Sequence, residues 1–232
     1  MFRPLRPVFL AACALCAAPA PAAEPSLPLK AKERIVFLGD SITQAGAGKG
    51  GYITLFRDTL EVKHKDLGIE VLGAGISGNK VPDLQRRVEK DVLDKKPTVV
   101  FIYIGINDVW HGEKDPAKGT TPEKFEEGLK EVIGKITAAG ARVVLCTPSV
   151  IGEKTDGSNP LDKKLDEYAA ISRKVAKELK LPVCDLRKAF LTYEKENNPT
   201  NKRTGVLTGD GVHLNEAGNR FVAEQMLKMF GD

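Results

Sequence analysis

Residues 34–43 read Arg-Ile-Val-Phe-Leu-Gly-Asp-Ser-Ile-Thr. Ile35 to Leu38 form an unbroken apolar run, which suits a strand covered on both faces better than one alternating between core and water. Gly39 then allows a tight turn, and Asp40 and Ser41 are residue types that cap helices. The stretch therefore predicts a buried parallel strand whose carboxyl end delivers the Ser41 hydroxyl to the edge of a sheet.

The same punctuation recurs along the chain. Apolar runs at 34–38, 69–72, 98–104, 141–146 and 182–186 read as five strands. Between them, Phe125, Leu129, Val132, Ile133 and Ile136 recur at helical spacing. They follow Thr121-Pro122, a cap and a favoured first-turn proline, and Gly140 stops them. Leu161, Leu165, Tyr168, Val175 and Leu179 form a second stripe after Asn159-Pro160, and 52–64 and 215–230 supply the first and last helices. Strand–helix alternation with short connections predicts an α/β domain, a parallel sheet with helices on both faces, over residues 33–232. No period of 20–50 residues suggests a repeat array.

At 232 residues, 42% hydrophobic and 28% charged, the chain is neither fibrous nor disordered. Residues 1–23 carry Arg3 and Arg6, an apolar stretch from Val8 to Ala18, and a Pro-Ala-rich end, the pattern of a signal peptide. Residues 24–32 read as a linker. The apolar stretch is shorter than the roughly 20 residues a membrane span needs. Leu10-Ala11-Ala12-Cys13 offers an alternative, lipid anchorage through Cys13. Export, periplasmic or secreted, is the expectation, with no integral membrane segment once the leader is removed. Losing Arg3 and Arg6 leaves 33 basic against 31 acidic residues, too small an excess to suggest nucleic-acid binding. Cys146 and Cys184 sit in strand-like runs as small hydrophobes, and whether they bridge is left open. The oligomeric state is not readable.

In an open α/β sheet, ligands bind beyond the carboxyl ends of the strands. Those ends carry Gly39-Asp40-Ser41-Ile42-Thr43, Gly73-Ala74-Gly75-Ile76-Ser77-Gly78-Asn79 and Gly105-Ile106-Asn107-Asp108, with Asp210-Gly211-Val212-His213 following the last strand and its helix. Singly, each piece reads as a cap, a turn or a core histidine. Together they supply the parts of acyl transfer. Ser41 offers a nucleophile, His213 a base, and Asp210, three residues earlier, a carboxylate to fix the imidazole tautomer. Backbone N–H groups of Ser41 and Gly78 and the Asn107 amide offer donors for an oxyanion. Asp40 and Asp108 are read as loop-shaping residues.

This ordered set resembles the SGNH hydrolases, the GDSL-type esterase/lipase family, over essentially the whole chain after the leader. The resemblance implies a flavodoxin-like, three-layer α/β/α sandwich with a five-stranded parallel sheet of order 2-1-3-4-5. It also implies Ser41, His213 and Asp210 as the catalytic residues, with Ser41, Gly78 and Asn107 around the oxyanion. Ile42 replaces the leucine of the family's older motif name, and Gly73 stands where many relatives have asparagine.

Other readings explain less. Gly73-x-Gly75-x-x-Gly78 matches a dinucleotide fingerprint but follows the second strand, has Pro82 where the phosphate-facing helix should run, and leaves Ser41, Asp210 and His213 without a role. The 47–51 loop lacks the Lys-Ser/Thr pair of a phosphate loop, and His64, His111 and His213 have no metal-ligand spacing, so neither cofactor nor metal is expected. A noncatalytic carbohydrate-binding or scaffold protein of this fold would be expected to have lost Ser41 or His213, yet both are present. The predicted activity is hydrolysis of short-chain acyl esters, acetyl above all, on carbohydrate; a lysophospholipase- or thioesterase-like acylhydrolase is the alternative. Export places the enzyme near polysaccharide, no apolar lid is evident, and Trp110 and His111 follow the Asn107 loop, where they could contact a sugar. Loops at 109–120, 149–160 and 197–209 are expected to rim the site.

Overall fold

A computed structural model of the chain describes residues 27–231. The expected leader at 1–23, its cleavage region and Cys13 lie outside the described residues. Of the expected linker, Leu27 donates its N–H to the Met229 carbonyl at 2.7 Å, and Leu27 and Leu29 pack against the core.

The chain runs β1 (Arg34–Gly39), α1 (Ser41–Gly46), α2 (Tyr52–Lys63), β2 (Glu70–Gly75), α3 (Val81–Asp91), β3 (Val99–Tyr103), α4 (Ile106–Trp110), α5 (Pro122–Ala138), β4 (Arg142–Cys146), α6 (Asp162–Glu178), β5 (Val183–Cys184), α7 (Leu186–Asn197) and α8 (Glu216–Leu227). The five strands form one parallel sheet of order β2-β1-β3-β4-β5. Helices α3, α5 and α6 pack along one face, and α2 and α8, with α7 beside α8, along the other. This is the three-layer arrangement expected from the sequence.

The central strands are buried on both faces, as their unbroken apolar runs require: all five residues of β3 are buried. Phe37 of β1 stacks on its register partner Phe101 of β3, with ring centroids 4.8 Å apart. Tyr52 and Phe56 of α2 meet the Phe37 ring edge-on, which fixes that helix over the sheet.

Several boundaries differ from the sequence reading, each for a local reason. Strand β2 lies at the sheet edge and is partly exposed, and it continues to Gly75, so Gly73 pairs with Phe37 inside the strand. Strand β5 shrinks to two residues, because the Asp185 side chain accepts the Lys188 N–H at 3.2 Å and caps α7 at Leu186. Leu179 closes α6 and is exposed. Cys146 and Cys184 are register partners on β4 and β5, both buried and both free thiols. Among the described residues no helix is long and apolar enough to cross a membrane.

Candidate active site

Gly39 ends β1 at a point where no side chain fits. A Cβ there would lie 2.1 Å from Thr43 Oγ1 and 2.5 Å from the Tyr103 carbonyl oxygen. Asp40 follows as the cap of α1, accepting the Ile42 N–H at 2.9 Å. Burial, reinforced by the nearby charge of Asp108 and opposed by the Ile42 N–H, pushes the Asp40 carboxyl up to about 7. The turn leaves Ser41 as the first residue of α1.

The Ser41 Oγ lies 2.9 Å from His213 Nε2, and His213 Nδ1 lies 2.7 Å from Asp210 Oδ2. A carboxylate at Nδ1 places the proton on that nitrogen, so Nε2 carries the lone pair that faces the Ser41 hydroxyl. The other Asp210 oxygen accepts the Val212 and His213 backbone N–H groups at 2.9 and 2.8 Å, folding residues 210–213 into a turn. Partial burial works to raise the Asp210 pKa, but these bonds outweigh it and hold the carboxyl below its usual range. The site is open: the His213 and Asp210 side chains are 41% and 55% exposed.

The segment after β2 is tied to the other strand ends. Ile76 N donates to the Gly39 carbonyl at 3.2 Å, and Ser77 N to Gln44 Oε1 at 2.8 Å. Gly78 has φ +76°, a left-handed conformation that favours glycine. Asn107, buried in the first turn of α4, donates from Nδ2 to the Asn79 carbonyl at 3.1 Å. That carbonyl fixes which end of the amide is nitrogen, and Nδ2 carries a second N–H to offer. Asp108 accepts the Val81 N–H at 3.1 Å, bracing α3 against α4. Burial pushes its carboxyl up to about 6 against the pull of the Thr120 hydroxyl and the Val81 N–H. Ser41 and Asn107 thus stand in the first turns of the helices after β1 and β3, Gly78 in the segment after β2, and Asp210 and His213 between α7 and α8, and Ser41, His213 and Asp210 are joined in series.

His111 lies beside Gly78, where a methyl group would sit 3.9 Å from His111 Cε1. Its imidazole pKa is lowered by partial burial and by the Lys80 charge. Trp110 ends α4 and is 36% exposed.

In the 149–160 loop Ser149 to Glu153 are buried, whereas 155–158 are exposed. Gly152 N donates to the Gly211 carbonyl at 2.7 Å. Glu153, fully buried, accepts the backbone N–H groups of Val206, Leu207 and Thr208 at 2.9, 2.6 and 2.7 Å, anchoring the segment that leads to Asp210. Gln44 and Glu153 are site-supporting residues that sequence reasoning missed. A charged residue in a polar loop or on an amphipathic helix reads as solvated, so only Gln44, three residues past Ser41 on the same helix, carried any local signal.

A GDSL-like lipase/acylhydrolase family model matches residues 37–221. The chain belongs to this family. As a GDSL acylhydrolase it is a carboxylic-ester hydrolase. It is 32% identical to an acetylxylan esterase of Geobacillus stearothermophilus, over 86% of this chain and 94% of that protein. The crystal structure of an acetyl xylan esterase, AlAXEase, superposes with a TM-score of 0.81 at 48% identity, covering 84% of this acylhydrolase and 98% of that chain. A solved acetylxylan esterase of Geobacillus stearothermophilus superposes at 0.79 and 29% identity, covering 89% and 97%, and its structures include catalytic mutants with a serine, an aspartate or a histidine replaced by alanine. An uncharacterized lipoprotein of Bacillus subtilis is 28% identical over 67% of this chain and 71% of its own length.

Proposed function

We propose that this GDSL acylhydrolase is an exported serine esterase that removes short acyl groups, acetyl above all, from carbohydrate. The observation that carries the mechanism is the series of contacts from Ser41 Oγ through His213 to Asp210. His213 Nε2 takes the Ser41 proton as Oγ bonds to the ester carbonyl carbon, and the carbonyl electron pair moves onto its oxygen. The backbone N–H groups of Ser41 and Gly78 and the Asn107 amide receive that oxyanion. As the tetrahedral species collapses, His213 passes the proton to the leaving alcohol oxygen, giving an acyl-Ser41 ester. Water then repeats the cycle: His213 takes its proton, the acid leaves, and Oγ recovers its hydrogen. Asp210 holds the imidazole tautomer throughout. The serine, aspartate and histidine of the Geobacillus catalytic mutants support these assignments.

The acetylxylan esterases among its relatives, the open site and the half-exposed Trp110 beside the Asn107 loop favour an acetylated polysaccharide over a lipid. The layout that accompanies this reading is a leader at 1–23, a linker at 24–32 and one catalytic domain at 33–232. The Bacillus lipoprotein keeps anchorage through Cys13 as the second route of export. Acetate release from acetylated xylan, pectin, peptidoglycan and chitin-type substrates tests the substrate, with Ser41→Ala as the control. Turnover of at least one acetylated glycan, lost in Ser41→Ala, is expected. Wild type and Ser41→Ala equally inert on these and on p-nitrophenyl acetate would overturn the esterase reading in favour of a binding protein.

A further inference from the structure

Arg87 lies in the middle of α3, between the buried residues Leu84 and Val88, and its side chain is only 12% exposed. Its bonds go to three chain segments that meet at the site. The Nε–H donates to Asn79 Oδ1 at 2.6 Å, one terminal nitrogen donates to the Ala74 carbonyl at 2.9 Å, and the other donates to the Gly39 carbonyl at 2.7 Å. Gly39 immediately precedes Asp40-Ser41, Ala74 is the penultimate residue of β2, and Asn79 immediately follows Gly78. Asp91, at 3.1 Å, balances the charge from the next turn of the helix.

Stability alone does not require such an arrangement, because a buried ion pair contributes little more than a well-packed aliphatic side chain would. What a guanidinium adds is a rigid planar fork with donors in fixed directions, which an ammonium lacks. Asn79, whose side-chain oxygen accepts from Nε, offers its main-chain carbonyl to Asn107 Nδ2 at 3.1 Å. The guanidinium is therefore one hydrogen bond from Gly39, two residues before Ser41, and one hydrogen bond from the residue whose carbonyl aims the Asn107 amide.

We infer that Arg87 is a positioning residue for acyl transfer: it sets the Gly78–Asn79 segment, and through it the Asn107 amide, against the Ser41 turn. The inference rests on the oxyanion role proposed above for Gly78 and Asn107. A misaligned donor costs most where charge develops, so the loss falls on the chemical step and leaves ground-state binding nearly unchanged.

Steady-state kinetics on p-nitrophenyl acetate, with thermal melts of every variant, test this in a cycle of Arg87→Lys, Asn107→Ala and the double variant. Arg87→Lys is expected to lower kcat about tenfold to a hundredfold with KM within about threefold. Its pH profile should keep the wild-type acid limb, since the His213–Asp210 pair is untouched. The double variant should lose less than the product of the two single losses, because part of the Arg87→Lys loss acts through the Asn107 donor. Full kcat in folded Arg87→Lys, or losses that multiply in the double variant, would overturn the inference while leaving the esterase reading standing. Full kcat in Asn107→Ala would overturn the oxyanion reading and this inference together. Should Arg87→Lys fail to fold, Asn79→Ala removes the contact with Nε while keeping the main-chain carbonyl. It should lower kcat at least threefold, again with less than the product of the losses when combined with Asn107→Ala, and an unchanged kcat would overturn the inference.

Discussion

Ser41 Oγ and His213 Nε2 lie 2.9 Å apart although 172 residues separate them in the chain. The contact is the product of the whole fold, since Ser41 is delivered by the first strand and His213 by the loop before the last helix. With Ser41 as nucleophile and His213 as base, Ser41→Ala or His213→Ala should lower kcat by about three orders of magnitude or more, with residual activity from the remaining donors. Asp210→Asn keeps an acceptor for the Val212 and His213 N–H groups but turns its NH2 toward His213 Nδ1, which favours the tautomer with the proton on Nε2. It should retain about tenfold more activity than Ser41→Ala, because part of the His213 population still reaches the productive tautomer. Burst and steady-state kinetics on p-nitrophenyl acetate measure all three, and Asp210→Asn as inert as Ser41→Ala would contradict the ranking.

The two glycines of the site should fail in different ways. At Gly39 a methyl group meets Thr43 Oγ1 and the Tyr103 carbonyl oxygen at distances no side chain tolerates. Gly39→Ala should therefore lower stability by several kcal/mol or prevent folding. At Gly78 there is space, His111 Cε1 being 3.9 Å away, but φ is +76°. Gly78→Ala should fold, lose only about 1 kcal/mol to backbone strain, and lower kcat more than that, because relief of the strained φ turns the N–H away from the oxyanion. Urea melts beside kinetics separate the two, and equal stability losses would contradict the distinction.

What the sequence made legible was whatever a strand end advertises. Ile35–Leu38 and 98–104 read as strands because burial on both faces leaves no room for polar residues, and the residues after them were then placed by topology alone. The misreadings share one cause, in that a linear pattern does not say which polar group is buried. Asp185 caps α7 and cuts short what 182–186 suggested as a full strand. Glu153 and Arg87 serve buried backbone groups brought to them by segments about 54 and 48 residues distant, so no local spacing announces them.

Glu194, buried on α7, offers a pH test of the fold. It is 1% exposed, and neither carboxyl oxygen has a hydrogen-bond partner among the described residues. Burial, together with the charge of Glu153 and against that of Arg187, pushes its carboxyl up to about 8. The folded state thus holds this proton more tightly than the unfolded chain, where a glutamate titrates near 4.3. The stabilisation is complete below that lower value and is lost as pH rises toward about 8. Glu194→Gln cannot ionise. Its advantage over wild type should be small at pH 5 and grow to several kcal/mol by pH 9. Urea midpoints across that range give the difference directly, and a difference independent of pH would rule out the buried proton.

Substrate choice follows from what surrounds Ser41. Among the described residues, the exposed large apolar side chains are Val62, Ile76, Trp110, Leu179 and Leu191, scattered over α2, the segment after β2, α4, the end of α6 and α7. Only Ile76 and Trp110 adjoin the site segments, and two side chains offer little of the continuous apolar groove that a long acyl chain needs: each buried methylene would contribute about 0.8 kcal/mol only where such a surface exists. Relative kcat/KM should therefore fall from acetate through butyrate to octanoate esters of p-nitrophenol. Trp110, if its ring stacks on a sugar, should matter only when a sugar is present. Trp110→Ala should raise KM severalfold, about 1 kcal/mol of binding, for an acetylated xylooligosaccharide while leaving p-nitrophenyl acetate turnover near wild type. Rising activity with chain length would point instead to a lysophospholipase-like role, and equal losses on both substrates would make Trp110 a packing residue of the Asn107 loop.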